Sequence, residues 1–170
     1  MNILIIGGGL QALSVARSLK KEGYSVIALL HEGDVSTKSK YIDRLYTTDV
    51  TPTCQKEYLA SVLPVLQEQV ISVIIPLSDA TAEFLSIYKM ELENKYNLKC
   101  AIPDYDIFQK ANDKWLLLDL CKKNNIPHPK TRLLNSDNLQ EAANKIGFPA
   151  LIKPNISVGA RGITMVCSLS

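Results

Sequence analysis

A lysine delivered by a short apolar run and followed at once by a glycine-bearing loop is the feature of this chain best suited to chemistry. Residues 150–152 (Ala-Leu-Ile) read as a strand that ends on Lys153, and Ser157, Gly159, Arg161 and Gly162 follow before a second strand at 163–166. Backbone amides in such a loop wrap oxyanions, and a lysine and an arginine beside them add full positive charge. The ligand this suits is a polyphosphate. The loop joins two strands, and the order Gly-x-x-x-x-Gly-Lys-Ser/Thr is absent, so it is not a Walker-type P-loop.

A second lysine belongs to the same argument. In Asn112-Asp113-Lys114 the aspartate reads as a helix N-cap and the lysine as a first-turn residue. An ammonium there opposes the helix dipole by a few tenths of a kcal/mol, which hints at another use for the charge. Two further groups sit where open α/β sheets bind ligands. Gly7-Gly8-Gly9-Leu10-Gln11-Ala12 fits Gly-x-Gly-x-x-Gly/Ala after a strand, and Glu32 at the tip of the next strand is placed to meet a ribose hydroxyl. That pattern is weak alone, because any tight strand-to-helix turn needs glycine. Ser78 and Asp79 follow the fourth strand, where a helix cap explains them as well as a substrate does.

These residues need a scaffold, and the hydrophobic pattern supplies one. Strands are expected at 2–6, 24–30, 44–47, 70–76 and 99–103. Helices are expected at 10–21 (stopped by Gly23), at 56–69 with Pro64 as a kink, and at 79–96. Strands alternating with helices imply βαβ units and a parallel, doubly wound sheet. After Asp104 the character changes: a helical turn at 105–110, a helix at 115–123, and the extended linker Ile126-Pro-His-Pro-Lys-Thr131. A strand at 131–134 and a helix opened by an Asp137-Asn-Leu-Gln140 capping box complete the reading. Trp115, with Leu116, Leu117 and Leu120, reads as helix core rather than an adenine stack. A domain boundary falls at residues 103–112, giving domains 1–103 and 104–170.

Composition narrows the class. With 170 residues, 46% apolar and 21% charged, the chain suits a globular domain and the start of another. A net charge of +2 argues against a nucleic-acid partner. No apolar run reaches the roughly 20 residues a membrane helix needs. Cys54, Cys100, Cys121 and Cys167 are widely spaced and read as unlinked buried thiols in a reducing cytosol. His31 and His128 are isolated, and metal binding is not expected of either. A cytoplasmic protein is the expectation.

Taken together, Val73-Ile-Ile-Pro-Leu-Ser-Asp79, Ala111-Asn-Asp-Lys114, Asn125-Ile-Pro-His-Pro-Lys-Thr131, Gly147-Phe-Pro-Ala-Leu-Ile-Lys153-Pro and Ser157-Val-Gly-Ala-Arg-Gly-Ile163 resemble the opening of an ATP-grasp enzyme, with a carbamoyl-phosphate-synthase flavour. The resemblance spans essentially the whole chain and is most specific from residue 111 onward. It implies a Rossmann-like pre-ATP-grasp domain that helps hold substrate through Gly8, Gly9, Ser78 and Asp79, followed by the first, incomplete part of an ATP-grasp α+β domain. It also implies ATP as cofactor, with Lys114 and Lys153 on its phosphates or near the adenine and the loop of Ser157, Gly159, Arg161 and Gly162 over the β- and γ-phosphates. Arg161 departs from the small or lysine residues usual in that loop. The implied chemistry is activation of a small carboxylate to an acylphosphate, then attack by an amine or similar nucleophile. Magnesium ligands would come from a later segment, so the chain is expected to be part of a longer ligase, inactive alone. Self-association is expected to cover apolar hairpin surface at Leu151, Ile163 and Val166. Two alternatives stay open: an NAD(P)-binding Rossmann oxidoreductase, carried by Gly7 to Ala12 and Glu32, and a non-catalytic nucleotide-binding module.

Overall fold

Five short apolar strands pair side by side in the computed structural model, which describes residues 1–157, 159 and 161–169. They are β1 (Asn2–Ile6), β2 (Ser25–His31), β3 (Arg44–Thr48), β4 (Val73–Pro76) and β5 (Lys99–Cys100), all parallel, in the order β3-β2-β1-β4-β5. The order reverses between β1 and β4, where Ile6 lies opposite Pro76. This topological switch point places the turn after β1 beside the turn after β4, the crevice where open α/β sheets admit ligands.

Both faces of the sheet are covered, which is why β1 and β2 read as continuous apolar runs. On one face Leu4, Ile6, Ile27 and Leu29 pack with helices α2 (Gln55–Glu68) and α3 (Asp79–Tyr96), through Tyr58, Val62, Phe84, Leu85 and Leu92. On the other, Ile3, Ile5, Val26, Ala28 and Leu30 meet Ala12 and Ala16 of α1 (Gly9–Lys21). Pro64 does not break α2. It is exposed, and so is Ala60 one turn earlier, whose carbonyl loses its amide partner on the water side.

The chain forms two units, Met1–Tyr105 and Asp106–Ser170. Helix α4 (Tyr105–Asn112) starts at the boundary. Within the second unit lie α5 (Lys114–Lys123), α6 (Leu139–Ile146) and an antiparallel hairpin of β6 (Ala150–Ile152) with β7 (Thr164–Val166). No helix among the described residues is long and apolar enough to cross a membrane.

Several expectations need correction. Residues 131–134 form no strand: among the described residues the second unit's sheet is β6 with β7, and residues 131–134 join no sheet edge. Strand β5 spans two residues rather than five. Asp137 does not cap α6: the cap residue is Asn138, without a capping hydrogen bond. Its side-chain amide instead donates to the Leu133 carbonyl (2.9 Å) and its oxygen accepts from the Asn135 N–H (3.0 Å). Helix α5 buries no residue, and Leu116, Leu117 and Leu120 are exposed, so Trp115 is not a core residue. Of the four free thiols only Cys100 is buried. In the hairpin Leu151 and Met165 are well exposed, whereas Ile163 and Val166 are half-buried.

Candidate functional site

Asp113 caps α5 as its sequence position implies, its carboxylate accepting from the N–H groups of Trp115 (2.8 Å) and Leu116 (3.0 Å). That cap fixes Lys114 as the first helical residue. The Lys114 backbone N–H donates to the Asn155 carbonyl (3.0 Å). Its ammonium donates to the same carbonyl (3.2 Å), to the Ser157 hydroxyl (3.0 Å) and to the Ser157 carbonyl (3.5 Å). Lys114 is thus brought against the loop that begins two residues after Lys153. Among the described residues its acceptors are all neutral and no carboxylate pairs with it.

Lys153 follows β6 directly and is exposed. The hairpin register, Ile152 opposite Thr164, puts Lys153 at the mouth of the loop that returns to β7. Inside that loop Gly159 (φ 61°) and Gly162 (φ 73°) take left-handed conformations. Gly162 is further constrained by Pro154, whose Cγ would lie 2.8 Å from an added Cβ. Arg161 is exposed. Asn155, whose carbonyl ties the loop to α5, gave no sign in the sequence beyond its place after Pro154. No group of three or more His, Cys, Asp or Glu that could hold a metal ion exists among the described residues.

The second unit also has a cavity of about 550 Å³, walled by Trp115 and Leu118 of α5 and by His128, Lys130 and Arg132. Lys122 and Lys145 also line it, with Asp119 as the acidic residue among them, so basic side chains outnumber acidic ones there. Trp115 therefore faces open space, not a packed core. The sequence offered the clue in its Lys122, Lys130 and Arg132, but not their convergence.

In the first unit, the switch point gathers Gly8, Gly9, Ser78 and Asp79. The Ser78 hydroxyl accepts from the Thr81 N–H (3.2 Å), and the Thr81 hydroxyl accepts from the Ser78 N–H (3.0 Å), a complete capping box for α3. Asp79 occupies the first turn, where its charge complements the helix dipole. Thr81 also lies against the turn after β1, 3.3 Å from the Cβ that Gly7 lacks. The N–H of Gly9 is already engaged: it donates to both carboxylate oxygens of Asp34, at 3.1 and 2.9 Å. Glu32 is exposed. In the sequence Asp34 carries only a local turn signal, Asp34-Val-Ser36 after Gly33, and nothing that points to the β1 turn.

No protein-family model matches the chain. It is 29% identical over 180 residues to the carbamoyl phosphate synthase large chain of Rubrobacter xylanophilus, covering 95% of this chain and 16% of that protein. It is 24% identical over 166 residues to the D-aspartate ligase of Enterococcus faecium, covering 91% of this chain and 38% of that one. Its fold matches the biotin carboxylase domain of Hydrogenobacter thermophilus 2-oxoglutarate carboxylase, solved with MgADP, ADP and bicarbonate. That match has a TM-score of 0.76 and 22% identity, over 98% of this chain and 37% of the other. The chain spans well under half the length of each of these proteins. Sequence and fold agree that it resembles the N-terminal part of an ATP-grasp ligase of the carbamoyl-phosphate-synthase large-chain kind.

Proposed function

We propose that this chain supplies part of the ATP-binding cleft of a ligase that activates a small carboxylate. The observation carrying the proposal is the Lys114 ammonium, held by Asn155 and Ser157 with no carboxylate partner among the described residues. A cation kept in place by weak neutral acceptors is available to a phosphate, since a charged oxygen makes roughly twice as strong a hydrogen bond. The residues present therefore fit a polyphosphate. Lys114, Lys153 and Arg161 would supply charge, while Ser157, Gly159 and Gly162 would supply hydroxyl and amide donors.

ATP, when bound, supplies the phosphoryl group that converts a carboxylate into an acylphosphate open to attack by an amine. The task left to this chain is positioning and charge neutralisation, which dominate phosphoryl transfer. Lys114 and Lys153 withdraw charge from the phosphate oxygens, and the glycines allow the loop backbone to approach them. Magnesium ligands are not assigned to this chain. The names of the relatives, a carbamoyl phosphate synthase chain and a D-aspartate ligase, support the ligase class, and the bicarbonate bound to the biotin carboxylase neighbour leaves the substrate between bicarbonate-like and amino-acid-like acids. A cytoplasmic setting goes with this reading.

Parallel titrations with ATP and with NADH test the proposal, read through the fluorescence of Trp115, the single tryptophan, next to Lys114. A saturable response to ATP and none to NADH is expected. Tight NADH binding with silence toward ATP would reject the ligase reading in favour of a nicotinamide-binding one.

A further inference from the structure

The glycine turn after β1 has the form of an anion site, and the protein fills it with its own carboxylate. Helix α1 begins at Gly9 after an N-cap glycine that offers no side-chain hydrogen bond, and its first turn has no acidic residue. An uncapped helix start of this kind favours an anion. Asp34, from the segment after β2, provides one. Its two oxygens accept from the Gly9 N–H, and its Oδ1 also accepts from the Ser36 N–H (2.8 Å) and the Ser36 hydroxyl. Burial pushes the Asp34 carboxyl up, but the Ser36 hydroxyl and N–H, the Gly9 N–H and His31 outweigh it and hold it below the usual range. It is ionised at neutral pH.

The fit is close enough to set the sequence. A Cβ on Gly8 would lie 2.1 Å from Asp34 Oδ2, so the middle residue of the Gly7-Gly8-Gly9 run, a position the motif leaves open, is glycine to make room for this carboxylate. Thr81 closes in on Gly7 from the other side of the switch point. A phosphate aimed at the Gly9 N–H would have to share it with a fixed negative charge already at hydrogen-bond distance.

We propose that Asp34 is a specificity-determining residue: it occupies the anion position of the β1 glycine turn and bars phosphate-bearing ligands from the switch-point crevice. Dinucleotides, whose pyrophosphate needs this position, are excluded, and so is any substrate that would place a phosphate ester there. Whatever occupies the crevice presents a neutral or cationic group to the turn. The inference concerns the first unit alone and does not depend on ATP binding by the second.

The test follows the Gly9 amide in ¹H–¹⁵N spectra while pyrophosphate, and separately NADH, is added to the wild-type chain, to Asp34→Ala and to Asp34→Asn. The Gly9 signal of the wild type should stay in place. In Asp34→Ala it should shift saturably, with affinity for pyrophosphate at least about tenfold above any wild-type response. Asp34→Asn, which keeps the shape and the acceptor oxygen without the charge, should show a smaller gain and guards against misfolding of the alanine variant. A saturable Gly9 shift in the wild type matching that of the variants would overturn the proposal. So would a folded variant, judged by unchanged β1 and β4 signals, whose Gly9 amide ignores pyrophosphate.

Discussion

Replacing Lys114 by methionine keeps the length and the helix propensity of the side chain but removes its charge. In the free protein the ammonium's bonds to the Asn155 and Ser157 oxygens are lost, each worth about 0.5–1.5 kcal/mol and less where water competes. These bonds would be exchanged for bonds to phosphate when a nucleotide arrives, so they partly offset the gain. A unit charge pair about 4 Å apart is worth about 4 kcal/mol near a protein surface. Solvent around the half-exposed lysine and the exchanged bonds reduce that to about 1–2 kcal/mol. The expected result is an ATP affinity lowered about 5- to 30-fold, with the wild-type affinity also falling more steeply with salt than that of the variant. Trp115 fluorescence or calorimetry reads this directly, and Lys114→Arg should recover part of the loss. Binding of ATP to a folded Lys114→Met chain within about twofold of wild type would refute the role given to this lysine.

Three further outcomes follow from the packing and the charges. Phe84 is fully buried, edge-on to Tyr58 at 4.9 Å, so Phe84→Ala should cost about 3–5 kcal/mol in urea unfolding. A loss under about 1 kcal/mol would mean the α3 face is not the packed core described. Burial, with help from Glu93, pushes the Cys100 thiol up to about 12, whereas Cys54 and Cys167 are exposed. Iodoacetamide at neutral pH should therefore modify Cys54 and Cys167 rapidly and Cys100 only after unfolding, as peptide mapping would reveal. Asp34 and Asp43 both have lowered folded pKa values, the latter chiefly through Lys20 and then the Val26 N–H. Their stabilisation is present above the unfolded carboxylate range near about 3.9 and is lost as pH falls through the folded values. Asp43→Asn should flatten the acid limb of the stability curve; an unchanged acid limb would count against that coupling.

Much of the first unit was legible because its signals are local and agree with one another. The apolar runs at Asn2–Ile6 and Ser25–His31, the helical period after Gly9 and the Ser78 cap each specify one element, and alternation gives the parallel order. The second unit was harder to read because its elements depend on partners. The run from Thr131 to Leu134 has strand-like residues, yet strand formation requires pairing with an edge, and these residues pair with none. The α5 leucines have core chemistry without a surface to cover them. At the candidate site Lys114 could be found from its conflict with the helix dipole, and Lys153 from the strand that delivers it. The partners Asn155 and Asp34 could not, since each acts through a contact distant in sequence: 41 residues for Lys114 with Asn155 and 25 for Gly9 with Asp34.

The central claim is that Lys114 and Lys153 serve one triphosphate beneath the loop that Lys114 already grips. The most direct measurement titrates ATP into protein carrying isotope-labelled lysine side chains and follows every ammonium-bearing signal. The account predicts that Lys114 and Lys153 shift together and saturate with a single dissociation constant, while Lys20 and Lys89 of the first unit stay fixed. Shifts confined to first-unit residues, or Lys114 and Lys153 silent at saturating ATP, would contradict it.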